Sequence, residues 1–366
     1  MKIVFLTLSP SPHIEGNLTA LAQNPDVELV VAYETVSQGN RTWGSHFPDC
    51  EVINLQSFKL RNMSSLVSTK LWRTLNMLTP DAIVIGSSMW SPNSWIARTF
   101  ARLKGVPFYI FSEAPNATRT RFFNWLRQRV GMVFFSHASG FLGVTRSVCE
   151  ELADQYHYTC PSLQFPYHRD LSDFAPPIQN RKPAFPPRLL FVGVLEDRKN
   201  VGLLIHALKS VQTPFELHIL GGGEQEVMLR KMADDLCTGK IFFHGSAAYE
   251  EIPNYMRESD FLILPSKHDG FGMVIIEALT IGLPVIASDG VRAAVEYISP
   301  GGNGWLFKNG NTEDLQQKIS SALTKLDNWE NLSQRATAIS ATYNVRNTIT
   351  DFVELAKVGQ KARGER

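Results

Sequence analysis

A chain of 366 residues, 44% hydrophobic, with a formal net charge of +1 has enough apolar material for two cores, since a single core stops growing at roughly 250–300 residues. The near-zero net charge offers no global attraction to nucleic acid, so nucleic acid is not an expected partner. Four dispersed cysteines, Cys50, Cys149, Cys160 and Cys237, form no CxxC pair and have no histidine at ligand spacing; neither a zinc site nor a disulfide framework is expected, and a reducing compartment fits.

Along the first half, KIVFLT (2–7), VELVVA (27–32), DAIVIG (81–86), VPFYIF (106–111) and GFLGV (140–144) read as strands separated by longer helix-period segments. This is the pattern of parallel strands joined by crossover helices. The first of them, KIVFLTL, is too short for a secretory core. No apolar run reaches the roughly 20 residues that span a bilayer. A cytoplasmic protein is expected, soluble or held peripherally on the inner face of the membrane.

Between β-like segments, the loop LSPSPHIEGNLTAL (8–21) enters a helix near Gly16, and its His13 is either a ligand contact or an ordinary exposed loop side chain. Ser112 and Glu113 close a buried strand, at the end where ligands collect in open α/β sheets. Glu113 can accept from the hydroxyls of a ligand or act as an acid or base; it can equally cap the next helix. The stretch RTRFFNWLRQRVGMVFF interleaves Arg119, Arg121, Arg127 and Arg129 with aromatics. It reads either as a basic amphipathic segment for an anionic membrane surface or as a helix with Phe122, Phe123 and Trp125 in the core.

Residues 166–187 carry six prolines and read as a linker. The expected organisation is a domain over 1–165, a second over 188–345, and a helix over 346–366 that crosses back to the first. Strands of the second half are expected at RLLFVG (188–193), FELHILG (215–221), KIFFHG (240–245), DFLILP (260–265) and LPVIAS (283–288). The turn GGG (221–223) is not spaced as a GxGxxG fingerprint, and Glu224 and Glu226 at the following helix start would repel a pyrophosphate, so it reads as structural.

The densest chemistry lies in PSKHDGFGMVIIEAL (265–279). Gly270 and Gly272 permit a tight turn, and the helix after them presents free amides and a positive dipole end suited to phosphate. Asp269 and Glu277 bracket that turn as acceptors for hydroxyl groups. An ionised Glu277 among Val274, Ile275, Ile276 and Leu279 needs a polar partner. Phosphate between two hydroxylated groups describes a nucleotide sugar; the competing reading makes Asp269 an N-cap and Glu277 a solvated helix residue.

These residues resemble the donor-binding signature of the retaining glycosyltransferases of family 4 (glycosyl transferases group 1), which have the GT-B fold: two Rossmann-like domains facing each other across a cleft. The family usually has Glu where this chain has Asp269, followed by Gly270-Phe271-Gly272-Met273 and a second acid at Glu277. The resemblance extends to VGVLEDRKNVGLLIHAL (192–208), where Gly193 and Lys199 match, Val194 replaces the usual arginine, and Arg198 offers a nearby charge. It continues through 302–319. It implies a hexosyltransferase in bacterial surface polysaccharide assembly, using a nucleoside diphosphate sugar and a glycan or lipid-linked acceptor. The implied donor-binding residues are Gly193, Arg198, Lys199, Asp269, Gly270, Phe271, Gly272, Met273 and Glu277. Asp269, Glu113 and Lys199 are the implied catalytic group, with His13, Gly16 and Arg119 on the acceptor side. No metal and no cofactor are expected. A catalytically silent binding subunit is the alternative, and a nicotinamide-dependent oxidoreductase a more distant one.

Overall fold

The computed structural model describes residues 1–35, 48–59, 66–113, 121–175, 177–178, 181–234 and 239–364. It forms two compact units, one built from residues 1–169 and 344–366, the other from 170–343.

The first unit holds a seven-stranded sheet of β1 (Lys2–Thr7), β2 (Glu28–Tyr33), β3 (Glu51–Asn54), β4 (Ala82–Ile85), β5 (Phe108–Ser112), β6 (Gly140–Gly143) and β7 (Ser162–Gln164). Their spatial order is β3-β2-β1-β4-β5-β6-β7, and every pairing is parallel. The central strands are apolar on both faces because helices cover both; Ile3 to Phe5 and Ala82 to Ile85 are wholly buried. Parallel register puts all the carboxyl ends on one edge, so the loops after β1, β4 and β5 lie together.

The second unit repeats the plan with β8 (Arg188–Val192), β9 (Phe215–Leu220), β10 (Gly239–Gly245), β11 (Phe261–Leu264), β12 (Val285–Ser288) and β13 (Gly304–Phe307), in the order β10-β9-β8-β11-β12-β13, again all parallel. In each sheet the order reverses direction beside the first strand, which places a topological switch point at the strand ends where ligands bind.

The proline-rich segment is divided between the units, and its later part is firmly tied. Arg181 donates to Asp260 Oδ1 at 2.6 Å and to the Ser259 carbonyl, while the Arg188 amide donates to Asp260 Oδ2 at 2.7 Å. Trp329 Nε1 donates to the Asp260 carbonyl, and the Arg181 guanidinium lies over the Trp329 ring. The terminal helix Val345–Gly364 belongs to the first unit: Phe352 packs edge-on against Tyr109 and Phe165, and Tyr109 Oη donates to the Leu355 carbonyl. Within the two large sheets, three strands that the sequence pattern does not predict, β3, β7 and β13, are short and lie at the margins.

Candidate functional site

In the second unit, the ends of β8 and β11 bring together residues distant in sequence. The turn Asp197–Lys199 follows β8, and the loop Ser266–Gly272 follows β11. Lys267 stitches the two: its amide donates to the Arg198 carbonyl at 2.8 Å, and its ammonium reaches both Asp197 carboxylate oxygens at 2.7 and 2.8 Å. Held this way, Lys199 Nζ donates to Asp269 Oδ2 at 2.5 Å, and Arg198 stands 3.7 Å from the same oxygen. Lys199 is buried. Arg198 also pairs with Glu196 at 2.8 Å, so Asp269 faces two cations, one of them already shared.

The helix Met273–Ile281 starts immediately after Gly272, whose φ of 97° is in the left-handed region. A Cβ at Gly272 would stand 2.6 Å from Val291 Cγ1, so both backbone conformation and space require glycine there. The first amides of any helix lack intrahelical acceptors, and here they open beside the Lys199–Asp269 pair. Phe271 is buried against Tyr343 and Tyr297, and Met273 Sδ accepts from Tyr343 Oη at 3.8 Å; these two side chains anchor the loop.

Glu277 is 5% exposed, and its Oε1 accepts from Tyr249 Oη at 3.0 Å. The buried carboxylate thus has the polar partner it needs. Tyr249 sits in a short turn after β10 with its ring against Phe174. Nothing in the sequence marks it: it lies 28 residues from Glu277 in an ordinary acidic turn. Two of the three glycines at 221–223 have a packing role, because a Cβ at Gly221 would overlap the Gly193 carbonyl and one at Gly223 the Leu195 carbonyl. Leu195 N donates to Gly222 O, locking the turn to the Gly193 loop. Glu226 pairs with Arg230 one turn on, as expected of a structural helix start.

In the first unit, β1, β4 and β5 end around a cavity of about 530 Å³. Glu113 lies at its edge, where Oε1 accepts from Tyr167 Oη at 2.5 Å. Burial first, and then the adjacent Glu113, hold the Tyr167 phenol well above its ordinary pKa, so Tyr167 remains a donor. The His13 ring lies 6.0 Å from that of Tyr167, which brings His13 and Glu113 into one neighbourhood. In the sequence, Tyr167 is hidden within the segment that reads as a linker.

The Gly16 amide donates to the His168 carbonyl at 3.0 Å and a Cβ would overlap that carbonyl, so this glycine lets the chain before Arg169 dock onto the helix Pro12–Ala22. Arg119 lies outside the described residues. The expectation that Phe123 and Trp125 fill the core is overturned, as they are 48% and 52% exposed. Arg98, on the neighbouring helix Pro92–Lys104, is turned inward and donates to the carbonyls of Val133, Phe134 and Ser136. Among the described residues, no three His, Cys, Asp or Glu side chains group as metal ligands, and no helix is long and apolar enough to cross a membrane.

Two parallel α/β units, one carrying an acid-flanked glycine turn against a lysine from the neighbouring strand end, define the GT-B class of fold. Residues 177–338, nearly all of the second unit, match the family model for glycosyl transferases group 1. The chain is 34% identical over 130 residues to an uncharacterized glycosyltransferase of Methanocaldococcus jannaschii, covering 36% of each. It is 31% identical over 154 residues to the lipopolysaccharide 1,6-galactosyltransferase of Salmonella typhimurium, covering 41% of this chain and 42% of that one. These matches span about two fifths of the relatives' length. Over nearly the whole chain, 98% of this one and 100% of the other, the fold matches Anabaena HepE in complex with UDP, with a TM-score of 0.74 and 18% identity.

Proposed function

We propose that the protein is a retaining, metal-independent hexosyltransferase that moves a sugar from a nucleoside diphosphate to a glycan or lipid-linked acceptor in surface polysaccharide assembly. The observation that carries the proposal is the meeting of Lys199 and Asp269, 70 residues apart in sequence and 2.5 Å apart in space, at the start of a helix that buries Glu277. A diphosphate suits the helix amides together with Lys199 and Arg198, and their fixed positive charge stabilises the departing nucleoside diphosphate. Glu277, oriented by Tyr249, accepts from the ribose hydroxyls. Asp269 accepts from hydroxyls of the transferred sugar once the diphosphate shares Lys199. In the same reading, attack comes from the face of the leaving group, with a donor phosphate oxygen receiving the acceptor's proton, so these acids position rather than attack.

The galactosyltransferase relative and the UDP-bound neighbour support this class of donor. A ligand that binds only the folded chain raises its melting temperature, so UDP- and GDP-sugars are expected to raise it, and transfer is expected to continue in EDTA with the anomeric configuration kept. Activity lost in EDTA and restored by magnesium or manganese refutes the metal-independent part; an inverted anomeric product refutes retention. The competing reading, a silent binding subunit, is favoured by the half-exposed Val194 where the family usually has an arginine. Transfer or donor hydrolysis by the purified chain eliminates it.

A further inference from the structure

The loop after β13 is tied to the Lys199–Asp269 pair through two neighbouring loops. In the second sheet β8, β11, β12 and β13 are consecutive neighbours, so their carboxyl ends form one line. Asn309 stands at the far end of that line, in a turn that is itself fixed. There the Asn311 amide donates to the Lys308 carbonyl at 3.0 Å, and the Lys308 amide donates to Asp314 Oδ2 at 2.7 Å. From this turn Asn309 holds both other loops. Its side-chain amide donates to the Lys267 carbonyl at 2.6 Å, 42 residues away in sequence, and its backbone amide donates to Asp289 Oδ1 at 2.8 Å.

Both loops lead to the pair. The Lys267 amide donates to the Arg198 carbonyl at 2.8 Å, next to Lys199. Gly290, which follows Asp289, accepts from the Asp269 amide at 3.3 Å, and Asp269 and Val291 form an isolated parallel bridge. Gly290 fits closely between them: a Cβ there would overlap the Lys267 carbonyl and stand 2.7 Å from Asn309 Nδ2. The lysine side of the pair is thus held through Lys267 and the acid side through Gly290, and Asn309 bonds to both loops. Asn309, Lys267 and Asp289 are all exposed, so their hydrogen bonds add little to folding. What they govern is position. A shift of the Lys267 peptide moves the Arg198–Lys199 turn, and a fixed charge stabilises a departing anion only where it is aimed at it.

We infer that Asn309 is a positioning residue of the donor site: by clipping the loop after β11 to the loop after β12, it sets how Lys199 stands against Asp269 and meets a diphosphate. The inference rests on the donor reading above and adds a residue that acts on Lys199 through Lys267 and Gly290.

The test is a double-mutant cycle in UDP affinity, measured by calorimetric titration of the full chain. Asn309→Ala is expected to weaken UDP about fivefold, the scale of one hydrogen bond, with little change in melting temperature. In a Lys199→Met background the same substitution is expected to change UDP affinity by less than about twofold, because the cation it places is gone. Asp289→Ala, which removes the second anchor, is expected to repeat the loss, and Asp289→Asn, which keeps an acceptor there, to restore most of it. A residue that only stabilises its loop lowers UDP affinity equally with and without Lys199, so equal losses in the two backgrounds overturn the inference. So does wild-type UDP affinity in Asn309→Ala. If Asn309→Ala does not fold, or Lys199→Met binds UDP too weakly to measure, Asp289→Ala against Asp289→Asn decides, and equal UDP affinity in those two overturns the inference. A wild-type chain that binds neither UDP nor GDP overturns the donor reading and this inference with it; UDP binding that is present in wild type and indifferent to Asn309 overturns the inference alone.

Discussion

At the scale of single residues, the proposed donor site is a set of mutually satisfied charges that a ligand must rearrange. Lys199 is buried against Asp269, so the best-placed cation of the site is held by the site's own acid. Asp269→Asn is therefore expected to preserve or improve the affinity for UDP alone, because Lys199 is released to the diphosphate, while sugar transfer falls about tenfold or more. Lys199→Met is expected to weaken UDP by at least about tenfold, the scale of a lost charge-assisted hydrogen bond. Parallel losses of UDP affinity in both variants would mean that the pair only supports the loop. Tyr249 gives a second contrast. Its hydroxyl holds one oxygen of a nearly buried carboxylate, so Tyr249→Phe should raise KM for the donor severalfold with kcat little changed. It should also narrow the preference for ribose over 2′-deoxyribose nucleotides, which a loss of general stability would leave alone.

At the scale of elements, most of the fold was legible because buried parallel strands are short, apolar and β-branched, and the turns that end them are rich in glycine. β1, β4, β8 and β11 declare themselves in this way. β3, with the sequence EVIN and a partly exposed burial pattern, does not, and β7 has only three residues. The glycine turn before the helix Met273–Ile281 was legible for a related reason: Asp269, the two glycines and Glu277 are close in sequence, so one helix start carries their geometry. What a sequence cannot show is the partner brought by another strand end. Tyr249, Tyr167 and the stitching Lys267 are ordinary residues until the sheet order is known. Gly272 tests the element itself. Alanine there meets a left-handed φ and the Val291 side chain, so Gly272→Ala should cost about 2 kcal/mol or more in denaturant unfolding and displace the helix start, with UDP affinity falling further than in Tyr249→Phe. Unfolding free energy equal to wild type would mean that the turn can move and does not depend on this glycine.

For the molecule as a whole, the chain leaves the first unit after residue 169 and re-enters it at residue 344, and both crossings are fastened within that unit. Asn17 accepts from the His168 amide at 2.8 Å and donates to the Pro166 carbonyl at 2.9 Å. The His168 ring meets Thr348 Oγ1 at 3.3 Å, joining the departing segment to the returning helix. Burial lowers the His168 pKa to about 4, so the folded state holds the ring neutral while the unfolded chain titrates near 6.5. The sign follows: between those values the unfolded state binds more protons, so stability is full above about pH 6.5 and is lost as pH falls toward 4, by on the order of 3 kcal/mol. Carboxylates titrate in the lower part of this window, so the informative quantity is the difference from a His168→Gln variant, which cannot take up the proton. That variant should be the less stable form at pH 7.5, where the ring's packing is lost, and the gap should close or reverse by pH 4.5 in scanning calorimetry. A gap independent of pH would show that His168 does not titrate on unfolding, and the crossings would then have to be held by Asn17 and the Gly16 contact alone.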